Sequence, residues 1–515
     1  MRSLALLVFV VGAGTLGAEM AAARLLAPYF GDSTLIWANT IGVVLVSLSA
    51  GYWLGGRFAD RHPEEQRLRL LVLVAAGLIA AIPLVSGPFL HLAVRAFDQI
   101  DAGAFVGSML GMLGLIAVPL VLIGAVSPWA LRLAVGDVEH AGRVAGRLSA
   151  IGTAGSLVGT WISSLLLIPF VGTQRTFLIL ALAIALVAAL GLPRRALLAP
   201  AAIAALLALP PGVTKPAESG DRVLDEAETP YQYARIVEHR TAEGEGIPPT
   251  LPAATERRLE LNEGQAIHSV WRADTVLTGN YWDAYLVLPF AVADAPPARV
   301  AMLGNAGGTV GRALLHYFPR TTVDGVEIDG KVSELGRKWL GMPRGPRMNV
   351  ITEDARPFLR GAADRGRDAA KRYDVIGIDA YRQPYIPFYL TTREFFALAG
   401  DRLTARGSVI VNVGHPEDSD ALEKALSATL RTTFPTVLSY RMTDTNTLLV
   451  ATRLPASAPR LRAAIPTLPG ELRPIAARAA GRLVEAPRGG PVYTDDKAPV
   501  EWLVDGSIVQ YAVGD

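Results

Sequence analysis

Arg299-Val-Ala-Met-Leu303 is a short apolar run, followed by the tight turn Gly304-Asn-Ala-Gly-Gly308. Thr309–Tyr317 then has helical spacing, and Thr322-Val-Asp-Gly-Val326 is a second apolar run that ends at Glu327. Strand, glycine turn, helix, strand and acid in this order make the βαβ unit of a doubly wound nucleotide-binding fold. Gly304 and Gly308 let the backbone approach a ligand without a Cβ clash. A carboxylate at the tip of the second strand can accept both ribose hydroxyl protons.

Further strands are expected at Met348–Ile351, Tyr373–Ile378 and Ser408–Val413, with helical stretches between them. Ligands of open α/β sheets bind outside the carboxyl ends of the strands. Glu327, Asp354 and Asp379 all fall at such ends. One such acid is an ordinary loop residue or helix cap; three at successive strand ends point to a site. Upstream, Arg235-Ile-Val-Glu238 and Arg258-Leu-Glu-Leu261 read as strands of a small β subdomain.

The other half of the chain is of a different kind. Residues before Gly212 are almost continuously apolar, and those after Lys215 carry most of the charge. Apolar runs fall at about Leu4–Ala23, Leu35–Gly56, Leu70–Val94, Phe105–Leu131, Leu148–Val171 and Thr176–Leu192. A membrane crossing takes roughly 20 residues. A seventh run, Ala196–Leu209, is shorter and ends in Pro210-Pro211. The sequence therefore predicts a multi-span helical membrane domain over 1–212, with six or seven spans. A linker is expected over 213–228, the β subdomain over 229–295 and the Rossmann-like, methyltransferase-type domain over 296–515.

Arg57, Arg61, Arg67 and Arg69 follow the second run, and Arg132, Arg143 and Arg147 follow the fourth. Positive-inside bias places these loops and the N-terminus in the cytoplasm. Six spans then leave the second half in the cytoplasm, the expected side for a catalytic domain of a multi-pass cell-membrane protein; a seventh places it outside. Glu19 lies within the first run, and Arg24 is near enough to pair with it. Gly51, Gly55 and Gly56 fit close helix packing.

A formal net charge of +2 offers no basic field for nucleic acid, and the absence of cysteine excludes disulfides and thiolate metal sites. No metal site is expected.

The stretch from Thr229 to about Arg453 resembles the aminopropyltransferase family, whose best-known member is spermidine synthase, and the whole chain resembles its bacterial membrane-fused members. Pro230-Tyr-Gln232, Leu261-Asn-Glu-Gly-Gln265, Tyr281-Trp-Asp283, Val326-Glu-Ile-Asp329, Glu353-Asp-Ala355, Tyr373-Asp-Val-Ile-Gly-Ile-Asp379 and Thr392-Arg-Glu-Phe-Phe396 carry the likeness. Thr494-Asp-Asp-Lys-Ala-Pro-Val-Glu501, the Glu19/Arg24 segment and Gly55-Gly-Arg-Phe-Ala-Asp-Arg61 resemble the membrane-fused members.

The resemblance implies aminopropyl transfer from decarboxylated S-adenosylmethionine, a co-substrate rather than a tightly bound cofactor, to an amine such as putrescine. It implies Asp379 as general base. The nucleoside side would comprise Gln232, Gly304, Ala306, Gly308, Glu327, Asp354 and Ala355; the acceptor side would comprise Gln265, Tyr281 and Asp283. The implied partners are the small amine and the lipid bilayer, with a homodimer as a possible assembly.

The pattern also departs from the family. Ala306 stands where the family has an amine-gripping Asp, Arg382 where it has a second Asp, and Trp282 where it has His. A rebuilt acceptor side leaves two other readings open: a methyltransferase using S-adenosylmethionine, and a non-catalytic nucleoside sensor coupled to a membrane partner.

Overall fold

The computed structural model describes residues 2–30, 34–97, 103–137, 139–210, 214–217, 220–241, 254–262, 266–365, 372–381, 386–415, 419–500 and 503. Two units emerge. The first comprises Met1–Pro216 with Glu228–Tyr233 and Asn262–Gly264; the second comprises Ala217–Ala227, Ala234–Leu261 and Gln265–Asp515.

The first unit is a helical bundle. Arg2–Phe30, Ile36–Arg61, Glu65–Ala93, Val106–Ala134 and Ala141–Val171 are each long and apolar enough to cross a membrane. The sixth apolar run forms Thr173–Ala189, which is shorter. At 1.5 Å per residue it spans about 25 Å. The seventh run forms the helix Leu198–Ala208, only about 17 Å long. So five of the expected spans have full length, and the last two runs make a shorter helical pair.

Small residues bring the helices together. A Cβ on Gly155 or Gly159 would lie 2.0 Å from the carbonyl oxygen of Phe9 or Ala13, so the first and fifth spans meet backbone to backbone. Gly51 and Gly55 do the same against Val121 and Ala125, whereas Gly56 meets nothing closer than 3.9 Å. Glu19 is buried in the first helix. Arg24 donates to the carbonyl of Pro230.

The second unit holds two sheets. The smaller is β1 (Arg222–Glu228), β2 (Tyr233–Arg240), β3 (Thr255–Leu261) and β4 (Ile267–Arg272), in that spatial order. Part of the stretch expected as a linker is thus strand β1. The larger sheet contains β5 (Arg299–Leu303), β6 (Thr322–Glu327), β7 (Met348–Thr352), β8 (Tyr373–Ile378), β9 (Leu403–Gly414), β10 (Thr436–Thr443), β11 (Asn446–Thr452) and β12 (Leu483–Glu485). Its order is β12-β10-β11-β9-β8-β5-β6-β7. β7, β6, β5, β8 and β9 run parallel, and β11, β10 and β12 add an antiparallel edge.

Alternation along β5 explains the layering. Val300 and Met302 enter one core with Tyr285, Phe290 and Leu314, while Ala301 and Leu303 enter the opposite core with Phe395 and Phe396. The chain winds from β5 out to β7, then returns to β8 on the other side. The switch point lies between β5 and β8, and the strand ends there are where ligands bind in such sheets.

Candidate active site

Asp379 follows the last residue of β8, and its backbone N–H donates to the carbonyl of Leu303 at 2.8 Å. Gly304, one residue beyond β5, has φ +85°, and a Cβ there would lie 2.3 Å from the carbonyl oxygen of Asp379. Only glycine permits the two strand ends to close at this distance.

Two donors hold the Asp379 carboxylate. The Tyr281 phenol donates to Oδ2 at 3.0 Å, and Asn412 Nδ2 donates to Oδ1 at 2.7 Å. Burial pushes the Asp379 carboxyl up to about 7, and Asn412, Tyr281 and the nearby Trp282 act against that rise. Such a group exchanges a proton near neutrality, as a general base should. Two more phenols lie close by. Tyr285 is buried with no hydrogen-bond partner for its oxygen among the described residues, and Tyr381 is fixed by the N–H of Gly414 at 2.6 Å.

Glu327 ends β6 and is buried. Its Oε2 accepts from the N–H of Ala306 at 2.9 Å and its Oε1 from the N–H of Asp329 at 3.1 Å. Burial pushes this carboxyl up to about 7, against the hydrogen bonds from Asp329 and Ala306 and with the adjacent Asp329 charge. The glycine turn therefore curls over Glu327: Gly304 and Gly308 have φ +85° and +83°, and Ala306 itself has φ +45°. A non-glycine residue rarely sits there without a local reason. Here the reason is the hydrogen bond from the Ala306 N–H to Glu327.

Asp354 lies two residues beyond β7. Its Oδ1 accepts from the N–H of Arg356 at 2.8 Å and caps the helix Ala355–Arg365, and its Oδ2 accepts from the Tyr389 phenol at 2.6 Å. Ala355 is buried in the core beside it. The Thr494-Asp-Asp segment braces this corner, because Asp495 takes Arg356 Nη1 at 2.9 Å and Thr392 Oγ1 at 2.7 Å.

Gly304, Ala306, Gly308, Glu327, Asp354, Ala355, Tyr281 and Asp379 all belong to the second unit, at or beside the ends of its strands. Asp283 is placed differently. It is buried, and its carboxylate accepts the N–H groups of Thr278 and Gly279 and the Thr278 hydroxyl, all within 3.2 Å. It holds its own turn, which orients Tyr281 and Trp282, while burial pushes it up to about 6. Gln232 groups with the first unit, where its backbone bonds Thr229. Gln265 and Arg382 lie outside the described residues.

Asn412 and Asn446 were not legible as site residues. Asn446 Nδ2 donates to Asn412 Oδ1 at 2.8 Å, so the two amides form a relay ending on Asp379. The available signal was a lone polar side chain inside the apolar run Ser408–Val413.

Residues 287–452 match the family described as "Spermine/spermidine synthase domain". The chain is 33% identical over 177 residues to a probable polyamine aminopropyl transferase of Bifidobacterium longum, covering 34% of this chain and 37% of that one. It is 31% identical over 146 residues to a polyamine aminopropyltransferase of Vibrio vulnificus, covering 28% and 46%. The chain thus spans less than half the length of these two curated relatives. A polyamine aminopropyltransferase of Corynebacterium efficiens matches at 28% over 377 residues, covering 66% of this chain and 69% of that one. That share exceeds what residues 229–515 alone supply, so this similarity reaches into the apolar half. Residues 287–452 are thus similar to the spermine/spermidine synthase domain, and the three relatives named here are polyamine aminopropyltransferases.

Proposed function

We propose that this protein is a membrane-anchored aminopropyltransferase, which moves an aminopropyl group from decarboxylated S-adenosylmethionine to an amine. The observation that carries the reading is the Asp379 carboxylate at the tip of β8, held by Tyr281 and Asn412 and pushed up by burial to about 7. An amine nucleophile is mostly protonated at neutral pH and must lose that proton to attack. Asp379 accepts it. The new C–N bond forms at the methylene beside the sulfonium, the C–S bond breaks, and its electron pair returns to sulfur as neutral methylthioadenosine leaves. A sulfonium sulfur leaves as a neutral thioether, which is a good leaving group by itself.

Glu327 supports the donor half. Its two oxygens are spaced to accept the ribose hydroxyls once the turn N–H groups yield or share them. The reading gives Asp354 and Ala355, just beyond the next strand end, to the adenine side. The acceptor half departs from the family pattern: Ala306 carries no charge where an acid would grip an amine. The acceptor is therefore an amine that the aromatic and phenolic wall of Tyr281, Trp282 and Tyr381 orients, rather than one clamped by two acids. Tyrosine and tryptophan faces attract cationic groups.

A methyl-transfer reading has one observation behind it. The chain is 28% identical over 123 residues to a human eEF1A lysine and N-terminal methyltransferase. One assay separates the two. The purified protein in detergent is given decarboxylated or intact S-adenosylmethionine with a panel of amines. Methylthioadenosine release is the expected product; adenosylhomocysteine would move the assignment to methyl transfer.

A further inference from the structure

Most arginines of the first unit collect at one end of the bundle, and the chain leaves the bundle at the other, where Arg24 and Arg175 lie. At the first end, Arg69 donates to the carbonyl of Val187 at 2.8 Å and to the Ser3 hydroxyl. The start of the first helix, the start of the third and the end of Thr173–Ala189 therefore lie together. Arg132 pairs with Asp60 at 3.5 Å and adds the ends of the second and fourth helices. Arg57, Arg61, Arg143, Arg147, Arg194 and Arg195 flank these same helix ends in the chain.

The opposite end is where the first unit's last segments dock. The Tyr29 phenol donates to the carbonyl of Thr214 at 2.9 Å, Arg24 donates to the carbonyl of Pro230, and the Thr173 N–H donates to Glu228 Oε2 at 2.7 Å. Phe30 and Val171 end their helices here, and Thr173 begins the next. Leu206, Leu209, Pro210 and Thr214 line one cavity of about 480 Å³ with His91 and Gln174, which belong to this same end. Leu198–Ala208 thus carries the chain back from Arg195 at the arginine-rich end to Thr214 at the arginine-poor one.

From this return we infer that the second unit lies on the non-cytoplasmic side of the membrane. Positive-inside bias counts Lys and Arg in short loops and puts the arginine-rich end in the cytoplasm. The chain then emerges on the far side. Among the described residues no helix after Ala208 is long and apolar enough to cross again. Strands of an open sheet cannot enter hydrocarbon, since their edge N–H and C=O groups would find no partner. The second unit stays where it emerges. Run length alone left this open, because Leu198–Ala208 falls short of a full span; the inferred side is the one that the seven-span reading of the sequence implies, opposite to the cytoplasmic side expected for six.

The inference stands apart from the proposed activity but bears on it. An adenosyl sulfonium is a fixed cation, and charge is costly in hydrocarbon. A donor of that class would reach a site on this face only through a transport step that carries it across, and the acceptor would be drawn from the same compartment.

The chain has no cysteine, so single cysteines report cleanly. Glu139→Cys marks the arginine-rich end and Arg344→Cys the second unit; both positions are exposed. Intact cells, with any outer barrier opened, are treated with a membrane-impermeant maleimide before and after permeabilisation. The expected result is labelling of E139C only after permeabilisation and of R344C before it. Labelling of both on one side, or of R344C only after permeabilisation, overturns the inference. Alkaline phosphatase fused after Asp515 gives a second readout: activity supports the assignment and its absence in an inserted, full-length fusion overturns it. Neither readout depends on aminopropyl transfer, so failure here and failure of the proposed activity are told apart.

Discussion

Asn412 Nδ2 stands 2.7 Å from Oδ1 of Asp379, and the Asn412 amide oxygen is itself held by Asn446 at 2.8 Å. The second contact decides which way the Asn412 amide faces, so the nitrogen is always presented to the carboxylate. Hydrogen bonds to the charged form of an acid lower its pKa. The relay therefore keeps a deeply placed carboxyl from rising further.

Removing that donor should move the pH profile before it damages the fold. In Asn412→Leu, the acid limb of kcat/KM is expected to lie at higher pH than in the wild type, because a donor that lowers the Asp379 value is lost. Tyr281→Phe should shift it the same way, because its phenol also lowers the Asp379 value. A purely structural role would reduce activity at all pH values without moving the limb; pH-rate profiles of the two variants distinguish these outcomes.

Asp379→Asn removes the proposed proton acceptor while keeping the side-chain size. Turnover is expected to fall by about 10²–10⁴-fold, the usual worth of a general base. Binding of methylthioadenosine should stay within a few-fold, measured by calorimetry. Unchanged turnover would end the assignment of Asp379 as base.

Glu327 gives a second pH dependence with a definite sign. Its folded value is raised to about 7 from 4.5, so the carboxylate proposed to accept the ribose hydroxyls forms only as pH rises through that region. Nucleoside affinity should therefore increase from pH 6 to pH 8. Glu327→Gln should weaken binding about tenfold or more, since hydrogen bonds to charged groups exceed neutral ones by about 1 kcal/mol or more. It should also flatten the pH dependence. The stability linkage runs the other way. Folded Glu327 and Asp379 keep protons that the unfolded chain releases at lower pH, so their contribution is greatest below about 4 and is lost as pH climbs through 7.

Gly304 and Gly481 make a matched pair. Gly304→Ala forces a Cβ against Asp379 at a φ of +85°. A cost of roughly 2 kcal/mol or more is expected, from the left-handed backbone and the clash together. Gly481 lies in the helix Arg473–Arg482 with nothing within 4 Å of a Cβ. Gly481→Ala should be neutral or stabilising by about 0.5–1 kcal/mol. Thermal inactivation in detergent reads both; a tolerated Gly304→Ala would mean that the two strand ends do not meet as described.

Restoring charge to the turn tests the acceptor side. Ala306→Asp places an acid where the N–H already bonds Glu327. Affinity for a diamine should improve by about tenfold, a difference of ~1.4 kcal/mol. The added negative charge should also raise the Glu327 value and weaken nucleoside binding below pH 7. KM for amine and donor, measured separately, show the two opposed effects.

Much of this protein is written locally. Apolar runs of membrane length, a glycine turn after an apolar strand and acids at three strand ends are patterns of a few neighbouring residues, and they survive translation into structure. Glu327, Asp354 and Asp379 sit at or just beyond the carboxyl ends of parallel strands, where the apolar runs that bury the sheet stop. What tertiary structure decided are relations between distant segments. Asn412 becomes a partner of Asp379 only because β9 pairs with β8, and Asn446 joins it only because β11 folds back on β9. Asp283 carries the same charge as Asp379, yet its turn consumes it, which no spacing reveals. The direction in which the chain leaves the bundle is of this kind too: it depends on where Thr214 and Glu228 dock, at helix ends that lie far from them in sequence.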